Sequence, residues 1–230
     1  KDFDIKINLK INIGNGSKLS KKFFERLNKS FGKLKKKKIY SIMVHDTNNF
    51  LNLYAKEKVK ILNYLKKLKK QKKIEKFGFS IYNTNELDYI CKIVGFDIIQ
   101  FPGNIFDQEV LQNKKLISLK KRGIELHVRS IFLQGLIFIT INKAKEIAGV
   151  NSLRLNKFYS EFKSKKERIF HCINFIKNQK NIDKIVIGLT SFKEFKEVVK
   201  IFETKLKRKK YSKFKIQDQN IIKPFKWKRI

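Results

Sequence analysis

The 230-residue chain is 42% hydrophobic, enough for one sizeable core, which excludes a disordered, solvating polypeptide. Its two cysteines, Cys91 and Cys172, lie in predicted helices without a CxxC motif and are interpreted as reduced core thiols, and no apolar run reaches the length of a membrane span. The formal net charge of +35 comes from 48 Lys against 7 Arg, a skew that indicates A/T-rich codon usage rather than an arginine-rich nucleic-acid groove.

Short β-branched or aromatic runs alternate with helical patterns along the chain, which is typical of βα units and a parallel sheet. The predicted strands are residues 4–11, 38–45, 76–81, 97–101, 125–130 and 184–188, and the predicted helices are residues 18–33, 56–70, 85–94, 107–122, 152–178 and 192–206. A closed (β/α)8 barrel needs eight such units. The sequence therefore predicts an α/β barrel of which about six units are present, with the barrel domain at residues 1–210 and a polar tail at residues 211–230.

Apolar spacing predicts which helix faces are buried, and capping residues predict where helices begin and end. Thr84 is the predicted N-cap of the third helix, and Gly123 the C-cap of the fourth. The predicted buried stripes are Leu19, Phe23, Phe24, Leu27, Phe31 and Leu34 in the first helix and Val59, Leu62, Leu65 and Leu68 in the second.

Polar residues stand where the predicted strands end, which is where barrels of this kind hold their chemistry. In chain order, these strand ends carry His45, Ser80, Gln100, Arg129 with Ser130, and the segment from Gly188 to Ser191. Each side chain also has a structural interpretation, as a strand-end group satisfied by its neighbours.

The ordered set of strand ends resembles the aldo/keto reductases, which are NAD(P)H-dependent oxidoreductases built on a (β/α)8 barrel. The resemblance runs from about Asp4 to Val199. It rests on the steps Val44-His45-Asp46, Gly78-Phe79-Ser80, Gln100 with Asn104, HVRSIFLQG at residues 127–135, and Ile187-Gly188 followed by Thr190 and Ser191.

The resemblance implies that His45 orients the substrate carbonyl and that Lys10 lowers the pKa of a tyrosine that donates the proton. The family's catalytic Asp and Tyr match no residue here and are expected before Lys1, because the chain does not begin with Met and is expected to be a piece. Tyr40 and Asp46 lie on the wrong strand to replace them.

The resemblance also implies a nicotinamide cofactor. Ser80 and Gln100 would hydrogen-bond the carboxamide, and the guanidinium of Arg129 would stack where many members have an aromatic ring. Ser130, Phe132 and Gln134 would lie beside the pyrophosphate, and Gly188, Thr190 and Ser191 would form a phosphate cradle at a helix N-terminus.

The sequence departs from the family pattern at the residues that choose the cofactor. Many members have an Arg that grips the 2′-phosphate of NADPH where this chain has Glu194, and an Asn where it has Val198, although Glu197 matches. Lys193 or Lys196 could compensate. NADP(H) is the predicted cofactor, with NAD(H) as the alternative.

The predicted function is reduction of an aldehyde or ketone, sugar-derived carbonyls included, by a cytoplasmic enzyme. The expected partner is the small carbonyl substrate, with no nucleic acid, no membrane and no metal, since the three histidines have no ligand spacing. The alternative is a catalytically inactive or truncated barrel homologue that binds cofactor or a partner without turnover. A basic nucleic-acid-binding protein remains a third hypothesis, resting on charge alone.

Overall fold

Six strands form among the residues that the computed structural model describes, which are 6–13, 19–34, 38–148, 152–205 and 209–227. The predicted start of the first strand at Asp4, the loop predicted from Gly14 to Ser17 and the predicted helix end at Leu206 lie outside these ranges. The strands are β1 (Asn8–Ile11), β2 (Ile39–Val44), β3 (Ile74–Ser80), β4 (Ile98–Pro102), β5 (Glu125–Arg129) and β6 (Lys184–Val186).

The helices of the described residues follow the strands in alternation. They are α1 (Leu19–Leu34), α2 (Thr47–Leu51), α3 (Ala55–Lys70), α4 (Thr84–Ile90), α5 (Lys115–Lys121), α6 (Ile141–Ala148), α7 (Leu153–Glu161), α8 (Lys165–Lys177), α9 (Phe192–Glu203) and α10 (Gln219–Ile222). Short 3₁₀ segments occur at Leu133–Phe138, Ser212–Phe214 and Pro224–Lys226.

The strands are hydrogen-bonded in their sequence order, β1-β2-β3-β4-β5-β6, and the pairs β1–β2, β2–β3, β3–β4 and β5–β6 are parallel. The chain divides into two compact units. Unit 1 comprises residues 1–101 and 114–126, and unit 2 comprises residues 102–113 and 127–230.

Unit 1 has its core on β2 and β3. All six residues of β2 are buried, as expected for a parallel strand covered on both faces. Phe79 of β3 packs between the rings of Phe50 and Phe96. The stripe predicted for the second helix is confirmed at Leu65 and Leu68 and wrong at Val59, which is 53% exposed; α3 buries Ile61, which was not predicted.

A close backbone approach fixes one glycine in this core. A Cβ on Gly78 of β3 would lie 1.9 Å from the carbonyl oxygen of Ile98 in β4. No side chain fits there, so the packing of β3 against β4 requires glycine at position 78.

Unit 2 includes the C-terminal segment, which packs against it. Phe214 is fully buried against Phe158, and the backbone N–H of Ile216 donates to the carbonyl of Phe106 at 2.9 Å. Lys223 forms a buried ion pair with Asp107 at 3.1 Å. The boundary predicted at residue 210 stays a prediction.

Several predicted helix limits differ from the structure, since α4 for example ends at Ile90 and not at residue 94, and three of the differences have a local cause. The helix predicted at 107–122 is confined to α5 because the Asn104 side chain accepts from the N–H groups of Phe106 and Asp107 and folds the chain into a turn. The helix predicted at 152–178 divides into α7 and α8, since Ser164 and Glu167 form a capping box that starts a new helix. The N-cap of α4 is Asn83, not Thr84.

Candidate active site

The strand register of unit 1 places four predicted site residues on one face. Lys10 lies opposite Met43 and Met43 opposite Gly78, while Ser80 lies opposite Gln100. Because side chains alternate along a strand, His45, two residues after Met43, and Ser80, two residues after Gly78, belong to the same face as Lys10. Two residues of rise and one strand spacing put the Cα atoms of Lys10 and His45 about 8 Å apart.

Ser80 and Gln100 are buried polar residues on adjacent strands. Ser80 is 0% and Gln100 2% exposed. Among the described residues, neither the Oγ of Ser80 nor the Oε1 of Gln100 has a hydrogen-bond partner. Buried polar groups are nearly always paired, so this pair calls for a ligand or another explanation.

His45 follows β2 directly and is half-buried. Its backbone N–H donates to the carbonyl of Ile11 at 2.9 Å, which extends the β1–β2 ladder to the position of the imidazole. Asp46 then accepts from the backbone N–H and the amide of Asn49 and caps α2. Lys10 is exposed and lines a cleft with Arg26, Lys29 and Lys33 of α1.

Unit 2 contains a cavity of about 520 Å³ at the ends of β5 and β6. Arg129 is the cation and Glu194 the carboxylate among its described lining residues. The predicted residues Arg129, Ser130, Phe132, Gln134, Gly188 and Thr190 all line it, together with Ile131, Gly135, Phe138, Val186, Ile187, Leu189 and Glu194.

The loop after β5 adopts a backbone that its residues disfavour. Ser130, Leu133 and Gln134 have φ values of 61°, 46° and 51°, in the left-handed region that glycine prefers. The Asn104 side chain donates to the carbonyl of Ser130 at 3.2 Å, and the N–H of Gly103 donates to the carbonyl of Arg129 at 3.1 Å. The loop is therefore held in place by residues that follow β4.

The predicted phosphate cradle already contains a carboxylate. Ser191 is the N-cap of α9 and accepts from the N–H of Glu194. In return, the Oε2 of Glu194 accepts from the backbone N–H and the hydroxyl of Thr190, both at 2.9 Å. Hydrogen bonds from Thr190 lower the pKa of the Glu194 carboxyl, so this half-buried side chain is ionised at neutral pH. Thr190 thus faces the cavity, whereas Ser191 caps the helix beside it.

The aldo/keto reductase family model matches residues 3–218, nearly the whole chain and both units. The chain belongs to the aldo/keto reductase family. Among curated protein sequences, none matches it significantly.

Solved aldo/keto reductases share the fold. The holo form of aldo-keto reductase AKR11C1 from Bacillus halodurans is 14% identical, with a TM-score of 0.70 over 95% of this chain and 75% of that one. An aldo/keto reductase from Brucella melitensis is 16% identical, with a TM-score of 0.55 over 89% of this chain and 70% of that one. These likenesses confirm the predicted α/β (β/α)8 barrel fold, with about six βα units in this aldo/keto reductase chain.

Three groups that could be mistaken for this aldo/keto reductase's proton donor have structural partners. The hydroxyl of Tyr40 donates to the carboxylate of Glu125 at 2.8 Å, and Asp46 caps α2. In unit 2, burial raises the pKa of Tyr159 to about 12, and its hydroxyl donates to the carbonyl of Leu136. A raised pKa is the opposite of what a proton donor near neutral pH needs.

Three residues that line the cavity of this aldo/keto reductase were not among the predicted site residues: Ile131, Gly135 and Val186. Gly135 has a φ of 86°, and a glycine in the loop that follows a predicted strand was the signal that could have marked it. Ile131 and Val186 carried no signal, because apolar residues next to a strand are most often part of the core.

Within the described ranges, no group of three or more His, Cys, Asp or Glu side chains could hold a metal ion. Over the same residues, no helix has both the length and the apolar character that crossing a membrane requires.

Proposed function

We propose that this chain carries the cofactor-binding and carbonyl-reducing residues of an NAD(P)H-dependent aldo/keto reductase. The observation that carries the proposal is the pair of buried oxygens on Ser80 and Gln100, which have no partner among the described residues. A carboxamide offers two N–H donors, so it would satisfy both oxygens. The residues present therefore fit a nicotinamide group.

Family membership supports an oxidoreductase of this type, and the roles of individual residues belong to the proposal. Ser80 and Gln100 of unit 1 orient the carboxamide. In unit 2, Ser130, Phe132 and Gln134 line the pyrophosphate, Arg129 stacks on a planar group, and Gly188, Thr190 and Ser191 approach phosphate. The volume of the cavity supports the roles of the residues that line it, whereas at the start of α9 the Glu194 carboxylate already accepts from Thr190.

A reduced nicotinamide held by these residues would be the source of the hydride for the carbonyl carbon. His45 donates a hydrogen bond to the carbonyl oxygen and fixes its orientation. The ammonium of Lys10 favours the phenolate of a tyrosine that gives up its proton, because a nearby cation stabilises the charged form. That tyrosine matches no residue of this chain.

The substrate in this proposal is a small aldehyde or ketone, sugar-derived carbonyls included, and the cytoplasmic location expected from the sequence is part of the proposal. The resemblance ranks NADP(H) before NAD(H). That order depends on the residue at position 194, which is Glu here.

The test is oxidation of NADPH and NADH by the natural full-length protein with a panel of aldehydes and sugar carbonyls. His45→Ala and Lys10→Ala are each expected to lower turnover by about 10²-fold or more, the usual contribution of a group that acts in proton transfer. Lys21→Ala is the matched control, since Lys21 is a lysine of α1 that is 80% exposed in a surface ion pair. Both variants retaining wild-type turnover would refute the assignment of these two residues. Tight cofactor binding without turnover on any carbonyl would establish the inactive homologue instead.

A further inference from the structure

Arg168 is a buried cation near the start of α8 and is only 8% exposed. Its Nε donates to the carbonyl of Ile137 at 2.6 Å, and its Nη1 donates to the carbonyls of Phe162 and Lys163 at 3.2 and 2.7 Å. The guanidinium also lies over the ring of Tyr159, 4.8 Å from its centre. These contacts fix the position of the side chain, but they do not neutralise it, because carbonyl groups and aromatic rings carry no net charge.

Among the described residues, no carboxylate hydrogen-bonds Arg168 or forms an ion pair with it. The carboxylates of the elements around it have other partners. Glu146 of α6 and Glu161 of α7 form ion pairs with lysines. Glu167 accepts from the backbone N–H and the hydroxyl of Ser164. Buried charges are normally paired, so Arg168 can still take an anionic partner.

An open cleft of about 340 Å³ leads to this charge. Its described lining residues include two cations, Arg168 and Lys163, and no carboxylate. The Nη2 of Arg168 has no hydrogen-bond partner within the described part of the chain, so its two N–H groups are available to a ligand. Most of the other lining side chains are apolar: Phe138, Ile139, Ile141 and Tyr159. A cleft of this size and composition fits a small molecule that has a hydrocarbon part and one anionic group.

The cleft at Arg168 is distinct from the cavity at the ends of β5 and β6, although both belong to unit 2. Phe138 is common to the described lining residues of the two, whereas the cation of the larger cavity is Arg129. A ligand bound in one of them can therefore be told from a ligand bound in the other by substituting one arginine at a time.

We propose that the cleft at Arg168 is a binding site for a small organic carboxylate. The Nη2 of Arg168 and the ammonium of Lys163 bind the carboxylate oxygens, and the apolar walls cover the hydrocarbon part. Inorganic phosphate fits less well, because it has no apolar surface to bury against those walls. The site is independent of the proposed function, since neither the cofactor nor the carbonyl substrate takes part in it.

The test is titration of the wild-type protein with benzoate and with benzamide, followed by the NMR signals of the ligand. Benzamide keeps the shape of benzoate but lacks its charge. Benzoate is expected to bind with a Kd of about 1 mM, which is within reach of a ligand of this size. Benzamide is expected to bind at least about tenfold more weakly, because it cannot form a charge-assisted hydrogen bond with the guanidinium.

Substitutions then locate the bound benzoate. Arg168→Met is expected to raise the Kd at least about tenfold for the same reason. Lys163→Gln changes an exposed side chain whose loss the fold tolerates, and it is expected to raise the Kd about threefold. The matched control is Lys157→Gln, an exposed lysine of α7 outside the cleft, and Arg129→Met is the control for the larger cavity. Both controls are expected to leave the Kd for benzoate unchanged.

Equal affinity for benzoate and benzamide, or no binding of benzoate, would overturn the proposal. An unchanged Kd in Lys163→Gln together with a raised Kd in Arg129→Met would place the anion in the larger cavity and would also overturn it. Inorganic phosphate is the third probe. If phosphate displaced benzoate and bound more tightly, the apolar walls would contribute nothing, and the site would not be one for an organic carboxylate.

Discussion

Replacing Ser80 with alanine tests whether its buried hydroxyl exists for a ligand. The hydroxyl has no partner among the described residues, and an unsatisfied buried polar group costs about 1–3 kcal/mol. The Thr47 hydroxyl donates to the backbone carbonyl of Ser80, so the strand end stays anchored in the variant. Without cofactor, Ser80→Ala is therefore expected to raise the free energy of unfolding by about 1 kcal/mol, or the melting temperature by about 3 °C for a chain of this size.

Cofactor binding is expected to respond in the opposite direction. Loss of one hydrogen bond to the carboxamide, about 1 kcal/mol, corresponds to a roughly fivefold weaker dissociation constant. The assays are urea denaturation without cofactor and fluorescence titration with NADH and NADPH. Ser41→Ala is the matched control, because Ser41 is equally buried but its hydroxyl donates to Asn8 at 2.5 Å, so this variant is expected to lose about 1 kcal/mol.

An equal loss of stability in both variants would contradict this expectation, because it would mean that Ser80 has a partner within the protein. Greater stability with unchanged cofactor affinity would show that the hydroxyl is unsatisfied but takes no part in binding. Either outcome would remove the main support for a nicotinamide group at Ser80 and Gln100.

Two further predictions concern the packing of each unit. Gly78→Ala, whose Cβ would lie 1.9 Å from a backbone oxygen, is expected to lower the free energy of unfolding by at least about 3 kcal/mol in urea denaturation. The control Gly32→Ala, in α1 with nothing within 4 Å of its Cβ, is expected to raise it by up to about 1 kcal/mol. Similar effects of the two substitutions would contradict the close approach at Gly78. In unit 2, burial outweighs the attraction of Lys223 and raises the pKa of Asp107 above 3.8. The folded state therefore keeps this proton to higher pH than the unfolded state, so the stability that Asp107 contributes is lost as pH rises from 3.8 through the raised pKa. We expect the free energy of unfolding of the wild type to fall relative to that of Asp107→Asn as pH rises across this range, measured by denaturation of both proteins. A difference that stays constant, or that increases for the wild type, would be inconsistent with the raised pKa.

The strands could be predicted because parallel strands leave little choice of residue. Every position of β2 is buried, so Ile39–Val44 had to be an unbroken apolar or small run. The polar residue that ends such a run is then conspicuous, and the register confirms that Lys10, His45, Ser80 and Gln100 share one face. Their chemical roles stay predictions.

The helix limits were harder to predict because single side chains set them. The Asn104 side chain accepts from the N–H groups of Phe106 and Asp107, so the chain forms a turn where the sequence pattern predicted the start of a helix. The start of a new helix at Ser164 could have been predicted, because Ser-Lys-Lys-Glu is a capping-box sequence. The apolar periodicity continues across this position, however, and favoured a single long helix. In α3 the predicted stripe was right at Leu65 and Leu68 and wrong only at its start, because the buried face begins at Ile61 and not at Val59.

The loop after β5 is the part of the site that no sequence pattern contains. Ser, Leu and Gln disfavour positive φ, so the sequence SIFLQG does not predict that Ser130, Leu133 and Gln134 adopt it. Each costs about 1 kcal/mol or more and persists only where surrounding contacts fix it. Here Asn104 and Gly103 hold the loop by its carbonyls, and the strained segment lines the cavity. Strain of this kind clusters at ligand sites, so it supports a binding function for this cavity on grounds independent of family resemblance.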